Sequence, residues 1–169
     1  CLRMVARYHG RAVALEELRR LSETTRSGSN LQSMAEAAEH LGFRTLGVKV
    51  TLEKLLTEQP LPCILHWNSS HFVVLYKVTG TGHSPLLRGR RGRGMRVHVA
   101  DPAHGLLTYT EAEFLERWIS PTATRETREG IALLLEPTPA FYERGSDASE
   151  SKRGFGFLFR YLRPYRKFI

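Results

Sequence analysis

The chain has 169 residues, of which 41% are hydrophobic, enough for the core of one domain with a tail. Its net charge of +8 favours an anionic partner, which could be nucleic acid, a lipid surface or an acidic peptide. With only two cysteines, a disulfide-stabilised scaffold is excluded and a reducing compartment is indicated. The sequence contains no run of about 18 apolar residues, the length that a membrane-spanning helix needs.

The first third of the chain is predicted to be mainly helical. Apolar residues at helical spacing and helix-capping residues indicate four helices, at residues 1–9, 14–22, 31–41 and 51–56. Asn30 or Ser29 can cap the third helix, and Gly42 can end it. Residues 43–50 alternate weakly in polarity and predict a strand.

From residue 61 onward the pattern indicates strands. Five are predicted, at residues 61–67, 71–78, 95–100, 106–109 and 130–136. A helix over residues 111–118, with Thr110 as its cap, lies between the last two strands. Helices followed by a meander of strands predict an α+β fold, with the helices packed on an antiparallel sheet.

The composition changes at Thr138. We predict a domain over residues 1–137, a linker over 138–154 and a separate segment over 155–169. In the last segment aromatic and basic residues alternate without any acidic residue, which is typical of a helix lying at a membrane interface.

His71 and Asp101 are the candidate catalytic residues. His71 opens one predicted strand and Asp101 ends another, so the two could form a base and its orienting group. Such a pair requires a nucleophile, and thiolates are stabilised at the N-terminus of a helix. Cys1 begins the first predicted helix and is therefore a candidate nucleophile.

Three segments carry a resemblance to a known family. Residues 1–10, 71–75 and 99–105, the last containing Asp-Pro-Ala-His-Gly, resemble motifs of the C39 cysteine peptidases in the same order. These are the peptidase domains of bacteriocin-processing ABC transporters. The resemblance covers roughly residues 1–137 and implies a papain-like fold with His71 and Asp101 as catalytic residues.

The same resemblance leaves the role of Cys1 open. The family begins with a Gln and then Asp-Cys-Gly, and residues 1–10 match the family segment immediately after this motif, which places Cys1 four positions after the family's nucleophile. Cys1 could be the nucleophile itself if the alignment is shifted by one helical turn, a small buried residue behind it, or a reactive end. The resemblance favours the second interpretation, so we expect the chain by itself to be inactive.

The resemblance also implies a function, partners and a location. We expect a cysteine endopeptidase that removes a double-glycine leader from a peptide cargo, on the cytoplasmic side of the bacterial inner membrane. Its partners would be the leader, the transmembrane and nucleotide-binding domains of a parent transporter, and the membrane surface through residues 155–169. No cofactor is expected for this domain, because the sequence contains no ATP-binding loop motif and ATP would bind the separate nucleotide-binding domain.

Two other functions remain open. The chain could be an inactive docking domain of the same fold, which binds the export substrate without cutting it. Residues 88–94 form an arginine–glycine tract that could instead make the chain a nucleic-acid- or membrane-binding module. Because no aromatic residues are interleaved in this tract, we predict a long loop there and no specific nucleic acid partner.

The remaining cysteine and histidines are predicted to be structural or solvated. Cys63, His66 and His71 imitate zinc spacing, but an offset of three puts Cys63 and His66 on opposite faces of a strand, so no metal site is expected. Cys63 is instead predicted to be an inert core thiol. The turn at residues 67–69 could border the site or be simply exposed. The histidines predicted to be solvated are His9, His40, His83, His98 and His104.

Overall fold

The structure is a computed structural model that describes residues 1–21, 30–58, 61–80, 94–119 and 128–143. The helices in these ranges are α1 Leu2–Tyr8, α2 Leu15–Leu21, α3 Leu31–His40, α4 Leu52–Glu58, α5 Glu111–Trp118 and α6 Pro139–Glu143. The strands are β1 Phe43–Thr51, β2 Cys63–Trp67, β3 His71–Thr79, β4 Arg96–Asp101, β5 Gly105–Thr110 and β6 Glu129–Pro137. No helix in the described ranges is long and apolar enough to cross a lipid bilayer.

The strands form one antiparallel sheet in the order β1-β6-β2-β3-β4-β5. The expected α+β fold is therefore confirmed, and the helices and strands predicted within residues 1–137 are present to within a few residues. The strand β6 follows α5 in the chain but inserts between β1 and β2, so the two edges of the sheet are β1 and β5.

Both faces of the sheet are covered by helices. Successive side chains of a strand point to opposite faces, and in β2 Cys63 and Leu65 enter one core while Ile64 enters the other. The first core includes buried residues of α4 and α5, among them Leu55 and Phe114. The second core includes buried residues of α1, α2, α3 and α6.

The predicted helix caps are present. The Asn30 side chain accepts a hydrogen bond from the Ser33 amide at 2.7 Å and so caps α3. Thr110 and Glu113 form a reciprocal capping box at the start of α5. This fixes α5 directly after β5, on the face of the sheet where Trp118 is buried.

The packed core continues past the predicted domain boundary at residue 137, because α6 contributes to it. Phe141 of α6 is fully buried in the second core. The Thr138 amide and hydroxyl both donate to the Gly42 carbonyl, at 3.1 and 2.6 Å. Arg11 donates to the Phe141 carbonyl at 3.3 Å, and its guanidinium lies 5.3 Å from the centroid of the Phe141 ring. The domain therefore extends to at least Glu143.

Several predictions lie outside the described residues. They concern His83, most of the arginine–glycine tract at residues 88–94, the remainder of the linker, and the interfacial segment at residues 155–169.

Candidate active site

His71 and Asp101 meet at the ends of two adjacent interior strands of the sheet. β3 begins at His71 and its antiparallel neighbour β4 ends at Asp101, so both residues lie at the same ends of adjacent strands. The His71 Nε2 atom lies 2.9 Å from the Asp101 Oδ1 atom. The predicted approach of these two side chains is confirmed.

The turn between β2 and β3 places His71. Trp67 pairs with His71 across this hairpin, and Asn68 and Ser69 adopt left-handed φ values of +46° and +60°. The Asn68 amide donates to the Arg117 carbonyl at 2.9 Å, which ties the turn to the end of α5. A left-handed conformation costs on the order of 1–2 kcal/mol per residue, so these contacts stabilise a turn that the local sequence alone would disfavour.

Residues 67–69 were predicted either to border the site or to be simply exposed, and the structure shows that they differ in exposure. Trp67 is buried in the core, whereas Asn68 and Ser69 are exposed beside the site. The Trp67 ring contacts the Phe114 ring of α5, with centroids 5.3 Å apart, so it packs the hairpin against the first core.

The turn between β4 and β5 places Asp101. Three residues separate Asp101 from its partner Gly105, whose φ of +85° is the left-handed conformation that closes turns of this length. The Ala103 amide donates to Asp101 Oδ1 at 2.8 Å, an arrangement that aspartate commonly makes two residues along a turn. The aspartate is thus oriented by its own turn as well as by His71.

His104 also contacts Asp101, which corrects the prediction that it is only solvated. Its Nδ1 atom lies 3.0 Å from Asp101 Oδ2. The His104 side chain is 70% exposed, but the Asp101 side chain is only 5% exposed. One carboxylate therefore serves two imidazole rings, each through a separate oxygen.

The pKa of Asp101 lies well below its ordinary value. Burial alone would raise this pKa, since it disfavours the charged carboxylate. Hydrogen bonds from His71, the Ala103 amide and His104 outweigh burial, because all three stabilise the ionised form. Asp101 is therefore a carboxylate at neutral pH, although only 4% of the residue is exposed.

This charge state determines which ring nitrogen of His71 carries a proton. An ionised carboxylate only accepts hydrogen bonds, so the neutral His71 ring must donate from Nε2. Its Nδ1 atom then has a free lone pair on a side chain that is 38% exposed. The arrangement can take a proton from a nucleophile at Nδ1 and stabilise the resulting imidazolium through Asp101.

Cys1 lies beside the first residues of β3, close to His71 in the chain fold. It occupies the cap position of α1, and its thiol donates to the Phe72 carbonyl at 3.1 Å. The start of α1 is thus held against the first residues of β3.

Cys63 is a core residue, as predicted. It is fully buried, and burial raises the pKa of its thiol to about 12. His66 contacts the ring of Phe72, with centroids 5.3 Å apart, on the face of β2 opposite to Cys63. Cys63 and His66 therefore do not converge on a shared ligand.

Two more histidines were wrongly predicted to be solvated. His98 bridges β3 and β5, with its ring nitrogens 3.0 Å from Thr79 and 3.1 Å from Thr108 hydroxyls. His9 is half-buried against the rings of Phe43 and Phe141, and burial lowers its pKa. His40 is exposed, as predicted.

Within the described residues, a cavity of about 410 Å³ lies between β4 and α5, away from His71 and Asp101. It is lined by Arg96 at the start of β4, the end opposite to Asp101, and by Leu115 of α5. His71 and Asp101 therefore lie at the opposite end of the strands and do not line this cavity.

The depressed pKa of Asp101 predicts how acid affects folding. In the unfolded chain an aspartate carboxyl has a pKa of about 3.9. Around and below this pH the unfolded state binds more protons than the folded state, as long as the folded Asp101 carboxyl is still ionised. Asp101 therefore makes its full contribution to the free energy of unfolding above the unfolded pKa. This contribution is lost as the pH falls towards the lower pKa of the folded state. The stability difference between the chain and Asp101→Asn, measured by urea unfolding, should be largest near pH 6 and shrink below about pH 4.

A matched control is Glu136→Gln. Glu136 is an exposed carboxylate 3.7 Å from Arg44, and such pairs contribute little to stability. Its stability difference should stay small across the same pH range. A difference for Asp101→Asn that does not change with pH would show that the carboxylate is not stabilised by its donors.

Comparison with known proteins agrees with this geometry. Residues 1–129 match the model of the peptidase C39 family. The chain is 39% identical over 97 residues to a probable microcin-H47 secretion/processing ATP-binding protein of Escherichia coli, covering 56% of the chain and 14% of that protein. It is 32% identical over 123 residues to the colicin V secretion/processing ATP-binding protein of the same species, covering 73% of the chain and 15% of that protein.

A solved structure shares the fold. It is a double glycine motif protease from an AMS/PCAT transporter in complex with the leader peptide, 33% identical with a TM-score of 0.62 over 81% of each chain. The papain-like α+β fold implied by the sequence resemblance is therefore confirmed. The chain spans about one seventh of the length of the two Escherichia coli relatives. Since the family model matches well over half of its residues, the chain belongs to the peptidase C39 family.

Proposed function

We propose that the chain is the peptidase domain of a peptide-exporting ABC transporter, and that it removes a double-glycine leader from a cargo before or during export. The observation that carries the proposal is the contact of 2.9 Å between His71 Nε2 and Asp101 Oδ1. A buried carboxylate that stays ionised and is hydrogen-bonded to a partly exposed histidine is the arrangement that orients a catalytic base and stabilises its protonated form.

The proposed reaction uses the free nitrogen of His71. Its Nδ1 atom takes the proton from a cysteine thiol, and the thiolate attacks the carbonyl carbon of the second glycine. The imidazolium, stabilised by Asp101, then gives this proton to the leaving amine of the cargo. Water then attacks the thioester while His71 Nδ1 accepts one of its protons. The C–S bond breaks, the leader leaves with a free carboxylate, and the proton on His71 returns to the cysteine thiolate.

The nucleophile is proposed to lie one helical turn before Cys1. The thiol of Cys1 is directed at the Phe72 carbonyl, and Cys63 is buried with a raised pKa, so neither is placed to attack a peptide. The family motif has its nucleophile four positions before the residue that matches Cys1. Four residues advance a helix by about 6 Å, and α1 begins beside β3, so a thiol there would lie at this end of the sheet.

Partners and location follow from the same proposal. The net charge of +8 suits an acidic leader segment. Transmembrane and nucleotide-binding domains of the parent protein would be the other partners, and residues 155–169 would contact the cytoplasmic surface of the bacterial inner membrane. The thiol–imidazole chemistry requires no cofactor in this domain, and ATP would bind the separate nucleotide-binding domain.

A second candidate is a docking domain that binds the leader without cutting it. It is favoured by one observation, that neither described cysteine is placed as a nucleophile beside His71. Against it stands the hydrogen bond between His71 and the ionised Asp101 carboxylate, which binding alone does not require.

The test compares the chain with an extended chain, made by adding the family's Gln and Asp-Cys-Gly segment in front of Cys1. Both are incubated with a synthetic leader–cargo peptide that contains Gly-Gly, and the products are identified by mass spectrometry. We expect the extended chain to cut after the second glycine and the shorter chain to leave the peptide intact.

Other results would decide among the alternatives. An extended chain that binds the peptide but does not cut it would favour the docking domain. Cleavage by the shorter chain that is blocked by a thiol alkylator would identify Cys1 as the nucleophile. An extended chain that neither binds nor cuts would overturn the proposed function.

A further inference from the structure

The contact between His104 and Asp101 is not used by the reaction described above. Two of the three donors to Asp101, His71 Nε2 and the Ala103 amide, meet at Oδ1, at 2.9 and 2.8 Å. Oδ2 accepts from His104 Nδ1 at 3.0 Å. The second oxygen is therefore occupied by a side chain that the peptidase chemistry does not require.

The position of His104 bears on the orientation of the carboxylate. A carboxylate turns readily about its last side-chain bond, because that torsion has a broad profile. The two donors at Oδ1 restrain this torsion through one oxygen, and the His104 donor restrains it through the other, so the plane of the group is held from both sides. Fixing this plane keeps Oδ1 in line with His71.

His104 also forms the solvent side of this arrangement. Its side chain is 70% exposed, whereas the Asp101 side chain that it contacts is 5% exposed. A hydrogen bond to a charged group is stronger where water does not compete for the acceptor. Covering Oδ2 with the imidazole ring therefore strengthens the bonds that Asp101 accepts.

We propose that His104 is a positioning residue for the catalytic pair. By donating from Nδ1 to Oδ2 it holds the Asp101 carboxylate so that Oδ1 stays on His71 Nε2, which keeps His71 in the tautomer with a free Nδ1. The proposal rests on the proposed function for its catalytic meaning. The geometry that it predicts can be measured without any catalysis.

The first test uses the chain as it stands. Nitrogen–proton NMR correlation through the imidazole rings reports the tautomer of His71 and the exchange rate of its Nε2 proton with water. In His104→Ala we expect this proton to exchange at least about fivefold faster. In His104→Asn the rate should stay close to that of the unchanged chain, because Asn Nδ2 lies as many bonds from the backbone as His Nδ1 and also donates.

The second test uses the extended chain and its cleavage rate. His104→Ala should lower kcat by roughly three- to tenfold with KM within about twofold, which is the size expected for one partly exposed bond to a charged group. His104→Asn should recover at least half of the rate. The control His40→Asn changes an exposed histidine on α3 and should leave kcat and KM unchanged.

Each outcome has a defined meaning. Equal proton exchange in the chain and in His104→Ala would overturn the proposal, since water would then replace the imidazole fully. A folded His104→Asn that is as impaired as His104→Ala would overturn it too, because ring packing and not donation would matter. If the extended chain cuts nothing, the proposed function fails, and the NMR test still decides the role of His104.

Discussion

Asp101→Asn in the extended chain is expected to lower kcat by about two to four orders of magnitude, with KM nearly unchanged. The carboxylate accepts three hydrogen bonds with two oxygens, whereas an amide has one oxygen and an NH2 group that donates. One imidazole ring must therefore face a donor, and no negative charge remains to stabilise the His71 imidazolium. Initial rates on the Gly-Gly peptide would measure the loss.

Two further variants calibrate this result. His71→Ala removes the base itself and should lower kcat at least as far as Asp101→Asn. His98→Asn changes a histidine of the same strand, β4, that bridges two threonine hydroxyls and does not contact Asp101, so it should leave kcat within about twofold. Activity of Asp101→Asn within twofold of the unchanged enzyme would exclude Asp101 from the mechanism.

The sequence predicted that His71 and Asp101 come together because each of the two residues is marked by a change of local pattern. His71 opens an apolar run after a polar turn, and Asp101 precedes a proline that ends another run. Their approach required only that the two strands be antiparallel neighbours, since the start of one and the end of the other then coincide. Period-two alternation and capping residues likewise predicted most of the elements, because both are local signals.

The contact of His104 was missed because nothing local marks it. His104 lies in a three-residue turn, where side-chain direction depends on the backbone conformation and not on periodicity. The left-handed Gly105 that ends this turn and the Ala103 amide that holds Asp101 were both needed to aim the ring. The glycine after His104 was the only available signal, since it indicated a tight turn that would bring residues three apart together.

The histidines in the sheet and core were missed for a different reason. His98 is hydrogen-bonded to hydroxyls on two neighbouring strands, whereas the His9 ring packs against aromatic rings from β1 and α6. These partners are distant in sequence, so burial of the rings depends on the register of β3, β4 and β5 and on the docking of α6. A polar residue of intermediate hydropathy gives no indication of such contacts by itself.

Phe141→Ala is expected to lower the free energy of unfolding by about 3–5 kcal/mol, the usual cost of emptying a phenylalanine site in a core. Phe141 is fully buried, and its ring centroid lies 4.4 Å from that of Phe43 and 5.3 Å from the Arg11 guanidinium. The sequence placed this residue in a linker, since the composition changes at Thr138. Against a typical total stability of about 5–15 kcal/mol, such a loss would show that α6 belongs to the domain.

The matched control is Tyr142→Ala, which removes an aromatic ring from the same helix at a residue that is 49% exposed. It should cost less than about 1 kcal/mol, because half of the residue is already in contact with water. Ending the chain after Pro137 should be at least as destabilising as Phe141→Ala, since it also removes the bonds from Thr138 to the Gly42 carbonyl. If urea unfolding shows that all three variants are as stable as the unchanged chain, the domain would instead end at residue 137.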